Sequence, residues 1–217
     1  MKKQLALAII GVAAMFASAA QANEIYGQVG TEGAGIGFAY ALNARVNART
    51  EVDGFSFSHN FDAGGIRYDA RIKLLHTGEY IDFFPAPTVA PVRLTVGVLT
   101  GNDTIDGTAT GLNGSVNING TSYAAAGESI HAKATFPTVR PYVGIGLGHT
   151  PTAQKGFSMF ADVGVAFGRP HLDYDVPADI VAAAGQANVD AEKQALQDKV
   201  NNARFYPIVK VGVTYRF

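Results

Sequence analysis

The last thirteen residues constrain this chain more than any other segment. Phe205 to Phe217 reads Phe-Tyr-Pro-Ile-Val-Lys-Val-Gly-Val-Thr-Tyr-Arg-Phe. Val209, Val211, Val213, Tyr215 and Phe217 are apolar, and Lys210, Gly212, Thr214 and Arg216 between them are polar or minimal. Successive side chains of a strand point to opposite faces, so the segment has one apolar and one wet face.

The other end reads as an export signal. Lys2 and Lys3 precede an apolar run from Leu5 to Phe16, and Ala20-Gln21-Ala22 offers a small-residue cleavage site. The run is shorter than the ~20 residues of a transmembrane helix. Residues 1–22 are therefore expected to be a cleaved signal peptide and residues 23–217 a single all-β domain. Cleavage removes two of the 17 Lys and Arg and none of the 18 Asp and Glu, leaving a net charge of about −3. That near-balance argues against nucleic acid as a partner. Cysteine is absent, which excludes thiol and zinc-thiolate chemistry. No later segment is apolar enough for a helical span. A membrane-integral form would have to be a closed barrel, because lipid cannot satisfy an open sheet edge.

Eight strand signals recur between Gly, Asn, Asp and Pro clusters, at about 25–30, 35–42, 46–58, 66–83, 92–106, 141–149, 157–168 and 205–217. The polar stretch 107–127 reads as a long loop, with room for a hairpin near Val116 to Tyr123. Pro177 to Ala203 has helical spacing, with Asp175 as a candidate cap and Gly185 weakening its middle. An even strand count puts both termini on one side. The connections 107–127 and 170–204 then share the opposite face, and the compact joins at 43–45, 85–91 and 150–155 lie with the termini.

Charges follow the alternation. Arg49, Glu51 and Asp53 share one face of the third strand, and Arg67, Asp69, Arg71, Lys73 and Glu79 share one face of the fourth. Arg93, Asp162, Lys210 and Arg216 fall opposite apolar neighbours in the later strands. These twelve residues are expected to form an inward network of paired charges, since an unpaired buried charge is costly. If Lys210 and Asp162 lie at one depth, they pair. The remaining faces are apolar and would meet lipid. Tyr40, Tyr80, Tyr215 and Phe217 are candidates for one interfacial rim, and Phe167 and Phe205 for the other.

Motifs for chemistry are thin. His59, His76, His131, His149 and His171 make no close metal-binding pair. His76 falls on the expected lipid side of the fourth strand, and no serine is near it in sequence. Gly144-Ile145-Gly146-Leu147-Gly148 alternates at period two with no crossover helix, so its glycines read as room inside a narrow barrel rather than a nucleotide loop. No catalytic, cofactor or metal site is assigned.

The signal, the strand pattern and the ending Tyr215-Arg216-Phe217 together resemble the small eight-stranded Gram-negative outer-membrane β-barrels, the kind that includes the OmpA transmembrane domain, OmpX and OmpW. The resemblance implies an eight-stranded antiparallel up-and-down barrel with a helical insertion between the last two strands, integral to the outer membrane. It implies lipid and lipopolysaccharide as surroundings, and the barrel-assembly machinery as a partner reading Val213, Tyr215 and Phe217. It carries over no catalytic residue. A non-enzymatic surface barrel is the leading expectation; a narrow solute channel and a lipid-A-modifying enzyme stand beside it. Deleting Phe217 is expected to lower the amount of folded protein in outer-membrane fractions, and undiminished levels would remove the support this ending gives.

Overall fold

The computed structural model describes residues 24–63, 66–111, 114–125 and 127–217; the expected signal peptide lies outside them. Among the described residues thirteen strands run in chain order: β1 (Glu24–Gly30), β2 (Gly33–Asn43), β3 (Val46–Ala63), β4 (Ile66–Phe83), β5 (Val92–Gly101), β6 (Thr104–Gly111), β7 (Ser115–Ile118), β8 (Thr121–Ala124), β9 (Ser129–Thr135), β10 (Val139–Leu147), β11 (Gly156–Phe167), β12 (His171–Asp175) and β13 (Phe205–Arg216). Helices α1 (Ala178–Ala184) and α2 (Gln186–Asn201) lie between β12 and β13.

Eight strands close a ring in the order β1-β2-β3-β4-β5-β10-β11-β13, with β13 pairing back onto β1; every pairing is antiparallel. Closure satisfies the backbone groups that an open edge would leave bare.

The wall does not stop at the ring. The upper part of β4 pairs with β6, β6 with β9, and β9 with β12. β5 and β6 keep one register along β4, with Gly101 opposite His76 and Thr104 opposite Lys73, so they are one ribbon interrupted at Asn102-Asp103. β9 and β10 are likewise one ribbon broken around Pro137. The wall is therefore tall along β3, β4, β6, β9 and β12 and low along β13, β1 and β2. The described residues of the stretch 107–127, expected to be a loop, are thus mostly strand. They include most of β6 and the β7–β8 hairpin, whose Asn119-Gly120 turn has both residues at positive φ (50° and 77°), as a tight hairpin turn requires.

Inside this extension a small core joins Val116, Ile118 and Ile130 to Ile180, Ala184 and Val189 of the helices. Gly185, at φ 81°, separates α1 from α2. Asp175 ends β12 and does not cap the helix; Pro177 holds that position without a side-chain bond.

Candidate functional site: the barrel interior

β3 and β4 pair without a break from Val46/Phe83 to Ala63/Ile66, so no bulge changes the side-chain phase. The chemistry changes instead. On β3 the buried residues Asn47, Arg49, Glu51 and Asp53 give way, on the same face, to Phe55, Phe57, His59 and Phe61. On β4 the buried face is Leu74, His76, Gly78, Tyr80 and Asp82, and the opposite face runs from Phe83 and Ile81 up through Leu75 to Lys73, Arg71, Asp69 and Arg67.

This reverses the expected phase of the fourth strand. Arg67, Asp69, Arg71 and Lys73 stand on the outer face of the extension, where Arg67 pairs with Asp62 at 3.2 Å in the open. Glu79 also points outward, and accepts a hydrogen bond from Thr50 Oγ1 at 2.7 Å. Those five charges do not belong to the interior. Tyr80, expected at a rim, is 4 % exposed inside the ring. His76, expected toward lipid, is also interior, at 2 %. Alternation reports which residues share a face, not which face is inward, and β4 carries its charges on opposite faces in its two halves.

The other seven expected residues, Arg49, Glu51, Asp53, Arg93, Asp162, Lys210 and Arg216, are buried within the ring. Near its centre Arg49 grips Asp82 through Nε (2.5 Å) and Nη2 (3.2 Å), and Nη1 lies 3.6 Å from Asp162. Arg93 reaches Asp162 at 2.5 Å and Asp82 at 3.4 Å, and donates to the carbonyls of Leu147 and Gly148. Toward the chain termini Glu24 meets Arg216 at 2.9 Å and contacts His149. Lys210 and Asp162 are opposite in register yet do not pair. Lys210 Nζ extends instead to Glu32 (2.5 Å), Glu51 and Asp53 (3.5 Å), because Asp162 is already taken by two arginines. Sequence reasoning missed Glu24, Gln28, Glu32, Asp82, Asp103, Arg140 and His149. Asp82 was accessible by phasing β4 from its apolar lower end; Glu32 and Asp103 sit in turns, where alternation gives no signal.

Tyr26, Tyr80, Tyr142 and Phe160 are also buried in the ring. Arg49 lies 5.0 Å from the Tyr80 centroid and 5.9 Å from that of Tyr26. Each ring occupies space that facing glycines leave. A Cβ added to Gly144 or Gly164 would sit 2.3 or 2.2 Å from Tyr142 Oη, and one on Gly97 2.4 Å from Tyr80 Cδ1. Gly144→Ala, where the ring carbons of Tyr142 lie at 2.8 Å and beyond and its hydroxyl is nearest, is therefore expected to cost about 1–3 kcal/mol by overpacking. Combining it with Tyr142→Phe should relieve part of that cost, measured by urea unfolding of folded protein. An equal loss in single and double variants would show that the hydroxyl is not the obstacle.

Apart from the Thr50–Glu79 pair the outer wall of the ring is mostly apolar, with Ile25, Ile36, Ile81, Leu94, Val143, Ile145, Val163, Val209 and Val211 among its exposed residues. Val213, Tyr215 and Phe217 are exposed on this wall too, with Phe157 and Tyr215 4.9 Å apart. At the other end Phe167 and Phe205 meet edge-on at 5.7 Å. Beyond the ring Tyr174 is partly buried beside Glu192, and burial with that carboxylate pushes its hydroxyl pKa up to about 12.

A closed antiparallel ring with this wall is a barrel-like, all-β fold of the kind found in outer-membrane proteins. The solved structures it is similar to include CarO of Acinetobacter baumannii, with a TM-score of 0.60 and 20% identity over 90% of this chain and 98% of that one. CarO2 of the same organism gives a TM-score of 0.58 and 19% identity over 89% and 97%. At such identity the likeness concerns the fold. No family model and no curated protein matches the chain.

Proposed function

We propose that the protein is a small eight-stranded barrel integral to the outer membrane, non-enzymatic, that carries a folded extension outside the cell over a side-chain-filled lumen. One observation carries this reading: the polarity of both faces reverses along a continuous belt. Below the belt the interior is charged and the exterior apolar apart from the Thr50–Glu79 pair. Above it, Phe55, Leu74, Ile105, Ala134 and Leu172 take the inner face, and Ser56, Lys73, Thr104, Thr135 and His171 the outer. Water on both sides of the wall would not demand such a switch; lipid below and water above would. The 12-residue β11 is long enough for the apolar zone, since a tilted strand needs ~9–11 residues.

With no cysteine of its own, the chain suits single-cysteine labelling. Asp173→Cys should react with an impermeant maleimide on intact cells, and Ala44→Cys in the β2–β3 turn only after lysis. Labelling of Ala44→Cys alone would invert the orientation; labelling of neither in folded protein would sink the surface reading. In planar bilayers the folded barrel is expected to show no steady unit conductance, because the ion pairs and aromatic rings occupy the ring's cross-section. A reproducible conductance would favour the channel reading. The enzyme reading gains no support: His76 faces Glu32 and Asp103, while Ser158 is exposed near the opposite end of the ring.

A further inference from the structure

The buried charges form two tiers with different balances. In the inner tier, toward the chain termini, Glu24, Asp82 and Asp162 face Arg49, Arg93 and Arg216, three against three. In the outer tier, among the described residues, Glu32, Glu51, Asp53 and Asp103 face Lys210 and Arg140, with Arg49 of the balanced inner tier 4.0 Å from Glu51. With His76 neutral, two negative charges are left over at a site screened from water.

We propose that Glu32, Asp53 and His76 form a divalent-cation site, of the zinc type, at the outer mouth of the lumen. Three elements bring the ligands together: the β1–β2 turn, β3 and β4. Their donor atoms all lie within 4.8 Å of one another, and all three residues are at most 2 % exposed.

The imidazole is oriented for the task. Asp103 accepts from the Leu75 N–H (2.8 Å) and from Arg140, which fixes its carboxylate. His76 Nδ1 lies 3.1 Å from it and therefore carries the hydrogen. The lone pair of Nε2 then faces Glu32 Oε1 at 2.8 Å. Two acceptors that close require a positive species between them. A carboxylate behind a histidine whose far nitrogen meets a metal is the usual support of such a ligand. The carboxylates are also poised. Lys210 holds Glu32 Oε2 and leaves Oε1 toward His76; Gln28 holds Asp53 Oδ1 at 2.7 Å, and Oδ2 makes no hydrogen bond, with the Lys210 ammonium 3.5 Å away.

One imidazole nitrogen and two carboxylate oxygens, with a water in the fourth position, suit tetrahedral Zn²⁺. Ca²⁺ prefers six to eight oxygens, which this set does not supply. The charge matches as well, because a divalent ion neutralises the outer tier without protonating either carboxylate. The competing account places protons on His76 and one carboxylate.

The two accounts separate in folded protein stripped with EDTA and titrated with Zn²⁺ at neutral pH by calorimetry, with thermal unfolding in parallel. One Zn²⁺ per chain and a raised Tm are expected. His76→Gln should weaken binding by about 100-fold or more, and Asp103→Asn, which keeps all three ligands, by about 10–100-fold. If His76→Gln does not fold, Asp103→Asn carries the test. No Zn²⁺ binding by the folded wild type overturns the proposal in favour of protons. Binding undiminished in the folded variants overturns it too, because the ion would then sit elsewhere. Ca²⁺ binding as tightly as Zn²⁺ would overturn the zinc assignment. The result does not depend on orientation or conductance, which are tested separately.

Discussion

Arg49→Met is expected to destabilise the folded barrel by about 3–5 kcal/mol, the largest single effect among the interior charges. Arg49 is the hub of the inner tier. It holds Asp82 by two hydrogen bonds, lies within 3.6 Å of Asp162 and 4.0 Å of Glu51, and stacks near two tyrosines. Methionine keeps much of the volume and removes the charge, so the cost is the carboxylates left uncompensated rather than a cavity. Arg49→Met with Asp82→Asn should therefore recover a substantial part of the loss. The measurement is reversible unfolding of folded protein in urea, read as a double-mutant cycle. A single variant within about 0.5 kcal/mol of wild type would mean that water reaches this tier and screens it.

Val211→Arg is expected to cost about 2–4 kcal/mol in a bilayer, because it puts a cation on the lipid face. Val211 is 49 % exposed on the outer wall, flanked in register by Val29 and Ala161. Asp162→Asn should not rescue it, since Asp162 lies on the other side of the wall. The control is Phe57→Arg. Phe57 is also exposed and apolar, at 51 %, but it belongs to the inner face of the extension above the belt, so it should be tolerated far better. Folded fraction in vesicles of controlled composition gives both values. Equal tolerance at the two positions would remove the lipid boundary from the account and make a soluble β-protein the better one.

The two substitutions separate what alternation can say from what it cannot. The strand starts near 25, 35, 46, 66, 92, 157 and 205 were readable, because each strand lies between Gly, Asn or Pro punctuation and its faces differ in polarity. Helices α1 and α2 fall within the stretch 177–203, and Gly185 separates them. In β13 Lys210 and Arg216 are buried, and Val209, Val211 and Val213 are not.

β4 shows the limit. Its densest charges, Arg67 to Lys73, lie on the same face as Leu75, Ile81 and Phe83, and nothing local reveals that the strand leaves one environment and enters another. The wall built from β6 and β9 was hidden for a related reason. β6 and β9 are held by pairing with β4 and β12, contacts distant in sequence, and their Gly, Thr and Ala content looks like a loop.

By itself the sequence determined where most strands lie and that residues alternate between two faces along each of them. Alternation is a property of each strand's own backbone. Only the tertiary structure decided which charges meet, that Lys210 passes over Asp162 for Glu32 and Glu51, and that His76 turns inward between Asp103 and Glu32. Those choices depend on ring closure, which brings residues from β1 to β13 into one narrow space where each long side chain must find its counter-charge across the lumen.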